Sequence, residues 1–281
     1  MLGGRNQAHL ERVTCFVQIA RLSPRSTESG CIDLASAQKN NDDKRPFMNN
    51  KILFCATALL VVSLHAAAAP KDDVINAAKK LGDQPNYSWK ATVVVPENAQ
   101  FRPGPTEGQT EKDGFTQVAW TFGDNTTHAV TKGDKGAVTN QDGVWDSLAD
   151  VEKEEGFGRF RAMMVRNLKT PAVQAADLAA GAKDLKQDGT TYSGDLTEDA
   201  AKGLLAFGRR AGGDGPGVSN AKGSVKFWLK DGALSRFEFK IKGTVNFNGN
   251  DRDVDRTTTV EIKDVGTTKV SVPDAAKKKL S

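Results

Sequence analysis

Apolar and polar residues alternate at every second position in a series of short segments that begins at residue 87. In the first segment, Tyr87, Trp89 and Val93 alternate with Ser88 and Lys90, which is the pattern of a strand with one buried face. Further segments of this kind cover residues 115–122, 127–132, 135–139, 143–148, a hairpin at 183–193, then 223–229, 237–247, 254–262 and 265–272. The pattern predicts about nine strands, joined mostly as antiparallel meanders through turns rich in Gly, Asn and Asp.

Other segments carry apolar residues at steps of three and four, which predicts helices. These segments cover residues 72–81, 157–168, 170–178 and 195–207, and a basic helical tail follows Pro273. Phe157 and Phe160 share one face of the second helix, and Asp195 with Glu198 resembles a capping box at the start of the fourth. The polar, proline-containing run 96–114 is predicted to be a loop. Strands and helices together predict an α+β domain.

The segment 48–68 has the parts of a secretory signal peptide. Lys51 supplies the basic residue, 52–64 is the apolar core, and Ala66 and Ala68 form the small-residue pattern before a cleavage site. We therefore expect cleavage after Ala68. An uncleaved membrane anchor is the alternative, because the apolar run is close to the length that spans a bilayer.

The signal peptide divides the chain into three parts. Residues 1–47 are polar and aperiodic, which favours a spurious, disordered extension with Met48 as the true start; a genuine presequence is the alternative. Residues 48–68 are the signal peptide, and 69–281 are predicted to form a single exported domain. We expect the mature protein to be secreted or periplasmic.

Charge and composition exclude several classes of function. The 281 residues include 39 Lys and Arg and 35 Asp and Glu, a net charge of +4, which is too small an excess for an extended nucleic-acid-binding surface. Without residues 1–68, the chain has 213 residues, a net charge of +1, no Cys and only His128. A disulfide, a thiolate nucleophile and a multi-His zinc site are therefore not expected. Cys55 lies inside the apolar core of the signal, so a lipid-modified cysteine is not expected either.

Three features resemble functional motifs, and each has a simpler interpretation. His128 lies in a predicted strand and is interpreted as a polar strand residue rather than a general base. The run 212–217 is rich in glycine but lacks the Lys-Ser/Thr ending of a phosphate-binding loop. Asp251, Asp253 and Asp255 alternate with arginines, and we expect them to pair with bases on the neighbouring strand rather than to bind calcium. No metal, cofactor or catalytic residue is predicted.

Basic residues are frequent on the predicted middle helices. They allow peripheral contact with an anionic membrane surface, although an ordinary helix exterior is the simpler interpretation. These residues are Arg159, Arg161, Arg166, Arg209 and Arg210.

The order of elements and several short motifs resemble the periplasmic lipoprotein-carrier superfamily, of the LolA and LppX/LprG type. The motifs are Gly194–Thr197, Gly223–Leu229, Asp231–Leu234, Phe237–Ile241, Thr258–Asp264 and Val270–Ala275, together with a helix at 72–81 directly before a strand at 87–95. The resemblance implies a strongly curved antiparallel sheet (a half-barrel) wrapped over a few helices, with an apolar cavity that carries acyl chains.

This resemblance and the aromatic residues predict the function. We expect an exported, non-catalytic, monomeric protein that carries a lipid or acylated ligand, without a cofactor. A ligand-free structural module of the cell envelope is the first alternative, and a hydrolase based on two carboxylates is the second. The residues predicted to line the ligand cavity are Trp89, Phe160, Met163, Met164, Phe227, Phe237, Phe239 and Ile241.

Overall fold

The computed structural model describes residues 69–99, 102–206, 217–247 and 249–280. The chain divides into two units, residues 1–62 and 63–281, and the described residues all belong to the second. The predicted extension, the signal peptide and most of the glycine-rich run 212–217 lie outside the described residues.

Seventeen helices and strands make up the described part of the chain. The helices are α1 Pro70–Gly82, α2 Leu148–Val151, α3 Phe157–Arg166, α4 Pro171–Gly181, α5 Glu198–Leu205 and α6 Asp274–Lys279. The strands are β1 Asn86–Val94, β2 Pro103–Glu111, β3 Thr116–Phe122, β4 Asn125–Lys132, β5 Lys135–Thr139, β6 Trp145–Ser147, β7 Lys186–Asp188, β8 Thr191–Asp195, β9 Gly217–Lys230, β10 Ala233–Phe247 and β11 Asn250–Lys263.

All the named strands belong to one antiparallel sheet, in the order β6-β5-β4-β3-β2-β1-β11-β10-β9-β8-β7. Strands that follow one another along the chain pair with each other, except that β6 and β7 do not, because α2, α3 and α4 separate them along the chain. At the centre of the sheet, the first strand, β1, pairs with the last, β11. The sheet does not close, because β6 and β7 are its two edges. The α+β fold with a curved antiparallel sheet over helices is therefore confirmed.

Helices α1, α4 and α5 lie on one face of the sheet, which is called here the inner face. The main core lies between this face and those helices. Alternation places Phe227 of β9 and Phe237 and Ile241 of β10 on this face, where they are fully buried. Helix α1 adds Val74 and Leu81 at helical spacing. Burial of each of these side chains contributes about 1.5–3 kcal/mol.

Two smaller cores cover both faces of the β4–β6 end of the sheet. On the inner face, Ala129 and Val138 pack against α2 and α3. On the opposite, outer face, Val130 and Ala137 pack against Ala276 of α6 and the segment before it. This end of the sheet is buried on both sides.

The predicted loop at 96–114 is wrong for nearly half of its length, because β2 occupies residues 103–111. The strand pairs with β1 on one side and β3 on the other, so its backbone hydrogen bonds are satisfied without an apolar pattern. Its inner face needs no large side chain, since the indole of Trp89 lies across Gly108. A strand of this kind has no period-two hydrophobic signal.

Three local predictions also differ from the structure. The strand predicted at 265–272 is absent from the described residues, and Val272 instead packs with α6. Thr197, not Asp195, caps α5, because its hydroxyl accepts a hydrogen bond from the Ala200 amide at 3.2 Å. Helix α3 buries Arg161, whose guanidinium forms ion pairs that the helical pattern could not indicate.

Candidate functional site: the half-buried inner face

Five of the predicted ligand residues lie together in the main core. Trp89 is on β1, Phe227 is on β9, and Phe237, Phe239 and Ile241 are on β10; none is more than 6% exposed. The ring centroids of Phe227 and Phe237 are 6.3 Å apart. The structure brings these five side chains into one packed cluster, and their lining of a ligand cavity stays a prediction.

The other three predicted residues lie elsewhere, on α3. This helix packs against α2 and β5. Met164 is buried, Met163 is half-buried and Phe160 is 38% exposed. The Phe160 ring stacks on that of Phe157, with centroids 6.0 Å apart, and both are exposed. The structure therefore places the strand residues and the helix residues in two different parts of the inner side.

One of the buried residues of helix α3 is an arginine. Arg161 is 5% exposed. Its guanidinium lies 3.3 Å from a carboxylate oxygen of Asp146 and 3.0 Å from one of Glu154. These two charge-assisted contacts allow the arginine to be buried.

A band of half-buried residues crosses the centre of the inner face, and we call it the inner strip. Its members are Ala91 and Val93 of β1, Trp120 and Phe122 of β3, and Val254 and Arg256 of β11. The register of the sheet brings them close to one another. Ala91 pairs with Thr106 of β2, and Thr106 pairs in turn with Trp120. On the other side of β1, Val93 pairs with Thr258, which is two residues from Arg256 and on the same face of β11.

The inner strip is half-buried because it lies between two groups of helices. Helices α1 and α5 pack on β9 and β10, whereas α2 and α3 pack near β5. Inner-face residues beside the strip but nearer to the helices, such as Trp89 and Val118, are buried. The strip is thus an apolar surface that the described helices leave partly open, a common property of binding sites.

Arg256 is the charged member of the inner strip. It lies opposite Ile241 of β10, and its Nη2 donates a hydrogen bond to the carbonyl oxygen of Leu204 in α5 at 3.2 Å. Among the described residues it forms no ion pair. Burial lowers the pKa of the Arg256 guanidinium below its ordinary value, and a guanidinium remains charged at physiological pH.

Arg256 is not among the ligand residues predicted from the sequence, although the alternation contains the necessary signal. The predicted pairing of the acids with bases on the neighbouring strand is correct for Asp255, which is 2.7 Å from the ammonium of Lys242 on the outer face. It is wrong for the other two, since Asp253 accepts a hydrogen bond from the hydroxyl of Thr244 and Asp251 accepts one from the side-chain amide of Asn246. Arg256 is at the opposite parity, on the face of Val254 and Val260. Because neighbouring residues of a strand point to opposite faces, the alternation places Arg256 on the inner face and the acids beside it on the outer face.

The other polar features do not suggest a catalytic site. A recess of about 540 Å³ on the outer face is lined by charged groups of both signs, among them Lys186, Lys226 and Glu238. His128 lies on β4, and its backbone amide donates to Thr139 Oγ1 at 2.9 Å. Within the described residues, no group of three or more His, Cys, Asp or Glu side chains is arranged to hold a metal ion.

Comparisons with known proteins find similarity only among solved structures. No protein-family model and no curated protein matches the sequence. The Mycobacterium tuberculosis lipoprotein LppX is 9% identical, with a TM-score of 0.42 over 73% of this chain and 98% of that one. LprF from Mycobacterium bovis is 10% identical, with a TM-score of 0.41 over 74% and 97%. A DUF1329 protein from Desulfovibrio piger is 10% identical, with a TM-score of 0.31 over 76% and 100%. The first of these is of the type that the sequence motifs resemble.

Within the part of the chain that the structure describes, no helix is both long enough and apolar enough to cross a membrane.

Proposed function

We propose that this protein is exported and binds a lipid or another acylated ligand without catalysing a reaction. The observation that carries the proposal is the inner strip, an apolar surface left half-buried between two groups of helices on a curved sheet. Covering such a surface with an alkyl chain is favourable by roughly 25 cal/mol for each Å² of apolar area removed from water.

Export is supported by the sequence pattern at residues 48–68, which has a basic residue, an apolar core and a small-residue cleavage pattern. In this proposal the protein is cut after Ala68, residues 69–281 act as one domain outside the cytoplasm, and residues 1–47 are not translated.

The alkyl chain would lie along the inner strip rather than deep in the main core. Trp89, Phe227 and Phe237 are tightly packed, and a ligand between them would have to displace these contacts. The same packing favours the second candidate function, a structural module of the cell envelope that binds no ligand. Measurement of bound ligand distinguishes the two functions.

Native mass spectrometry on protein purified gently from the envelope of its host tests the proposal. The wild type is expected to carry an adduct with the mass of a lipid. Val93→Glu places a carboxylate on the inner strip, where it would lose its hydration against an alkyl chain, and is expected to remove most of the adduct. Val94→Glu is the matched control, because Val94 is the next residue on β1, faces outward and is 63% exposed.

The two variants separate loss of the ligand from loss of the fold. Retention of the adduct in Val94→Glu and its loss in Val93→Glu, with equal unfolding temperatures, supports the proposal. A wild type without an adduct that also fails to bind added fatty alcohol overturns it in favour of the structural module. Equal adducts in all three proteins would place the ligand somewhere other than the inner strip.

A further inference from the structure

Arg256 introduces a charge into a surface that is otherwise apolar. On β11 it lies between Val254 and Thr258 in the row of residues that belongs to the inner face. The residue directly opposite it on β10 is Ile241, which is fully buried. A partly dehydrated cation in such surroundings is costly unless an anion compensates for it. Among the described residues, the observed compensation is a single hydrogen bond, to the Leu204 carbonyl.

The two other arginines that are buried or half-buried among the described residues have acidic partners. Arg161 has Asp146 and Glu154, and Arg236 stacks on Trp228 and lies 3.5 Å from Glu238. Arg256 differs from both, since none of the described carboxylates lies within ion-pair distance of it. Within the described part of the chain, one of its five N–H donors is used, by the Leu204 carbonyl, and the other donors have no acceptor there.

From this geometry we infer that the ligand of the inner strip carries an anionic group, a carboxylate or a phosphate, that pairs with Arg256. The inference rests on the proposed function, because the rest of the ligand is the alkyl chain that covers the strip. A guanidinium matches both groups, since its paired N–H donors bind two oxygens at once. The ligand class is therefore an anionic amphiphile, either a free fatty acid or a lipid with a phosphate headgroup.

The position of Arg256 gives the ligand a direction. Val93 and Ala91 follow one another along β1 away from the level of Arg256, and Trp120 lies across β2 from Ala91. An anionic group at Arg256 would direct its alkyl chain over Val93 and Ala91 toward Trp120. Arg252 lies near the start of β11, on the same face as Arg256, and is exposed. It therefore adds positive charge where a ligand would approach this site.

Equilibrium titration of the delipidated protein with dodecanoic acid, dodecyl phosphate and dodecanol tests the inference. The two anions are expected to bind about tenfold more tightly than the alcohol, which has the same chain without the charge. Arg256→Gln is expected to remove this advantage and leave dodecanol binding unchanged. Gln keeps an uncharged N–H donor and part of the aliphatic stem of the arginine, so this substitution removes the charge with a small change in packing.

Two further variants make the result specific. Arg252→Gln removes a charge from the same strand and face but from an exposed residue, and is expected to change anion binding less than about threefold. Arg256→Lys keeps the charge and loses the paired donors, and is expected to fall between the wild type and Arg256→Gln. This second substitution also provides the test if Arg256→Gln does not fold.

Each outcome decides between the ligand classes. Tighter binding of dodecanoic acid indicates a fatty acid, and tighter binding of dodecyl phosphate indicates a phosphate headgroup. Equal binding of all three probes overturns the role of Arg256 while leaving the proposed function intact. Binding of none of them overturns the proposed function, and the inference with it.

Discussion

The indole of Trp89 lies across the backbone of Gly108 on the neighbouring strand. The pair fixes the contact between β1 and β2, in which these residues are directly opposite each other. A Cβ on residue 108 would overlap the indole. At the scale of single residues, glycine is therefore required here because a large aromatic side chain of the main core needs its space.

Gly108→Val is expected to lower the free energy of unfolding by about 2 kcal/mol, since the added side chain would force Trp89 out of its position. Urea unfolding followed by tryptophan fluorescence measures the change. Gln109→Val is the control, because residue 109 belongs to the same strand but the opposite face, and its effect should stay within about 0.5 kcal/mol. Equal effects of both substitutions would show that Trp89 does not depend on the space above Gly108.

At the scale of elements, a regular hydrophobic period correctly predicts the helices and strands that bury one face. The helix predicted at 72–81 and the strand at 87–95 occur as α1 and β1 with boundaries shifted by one or two residues, because each buries one face against the core. Strand β2 has no such face: Pro103, Thr106 and Gly108 show no apolar alternation. It forms because β1 and β3 both pair with it, and this information lies outside the strand itself.

The candidate site is predicted less completely than the fold. Alternation correctly places Trp89, Phe237 and Ile241 on the inner face, but it cannot distinguish a packed residue from a half-buried one. That distinction depends on where the helices lie, and so the inner strip emerges only from the tertiary structure. Arg161 shows the same limit in α3, since its burial depends on Asp146, fifteen residues earlier in the chain.

Helix α6 offers a test at this scale, because it covers the outer face of β4 and β5. Ala276 is fully buried there and Ala275 is exposed. Ala276→Asp is expected to lower the free energy of unfolding by about 2 kcal/mol, since it buries a carboxylate, or to detach α6. Limited proteolysis would then remove the C-terminal residues, whereas Ala275→Asp should remain resistant. Resistance of both variants would contradict the docking of α6.

At the scale of the whole molecule, the sheet and its described helices leave an apolar surface of the inner face partly open. The helices cover the two ends of the inner face, and the inner strip lies between them on β1, β3 and β11. The main core is packed without the help of a ligand, so the protein is expected to fold when empty. A ligand would add stability by binding to the folded state alone.

In the proposed function, the inner strip binds an alkyl chain through burial of apolar surface. Titration with primary alcohols from hexanol to tetradecanol measures this directly, because each member adds methylene groups and no charge. We predict that affinity rises about threefold for each methylene that leaves the water, until the strip is covered, and that Val93→Glu abolishes this dependence. Affinity independent of chain length in the wild type would contradict the claim.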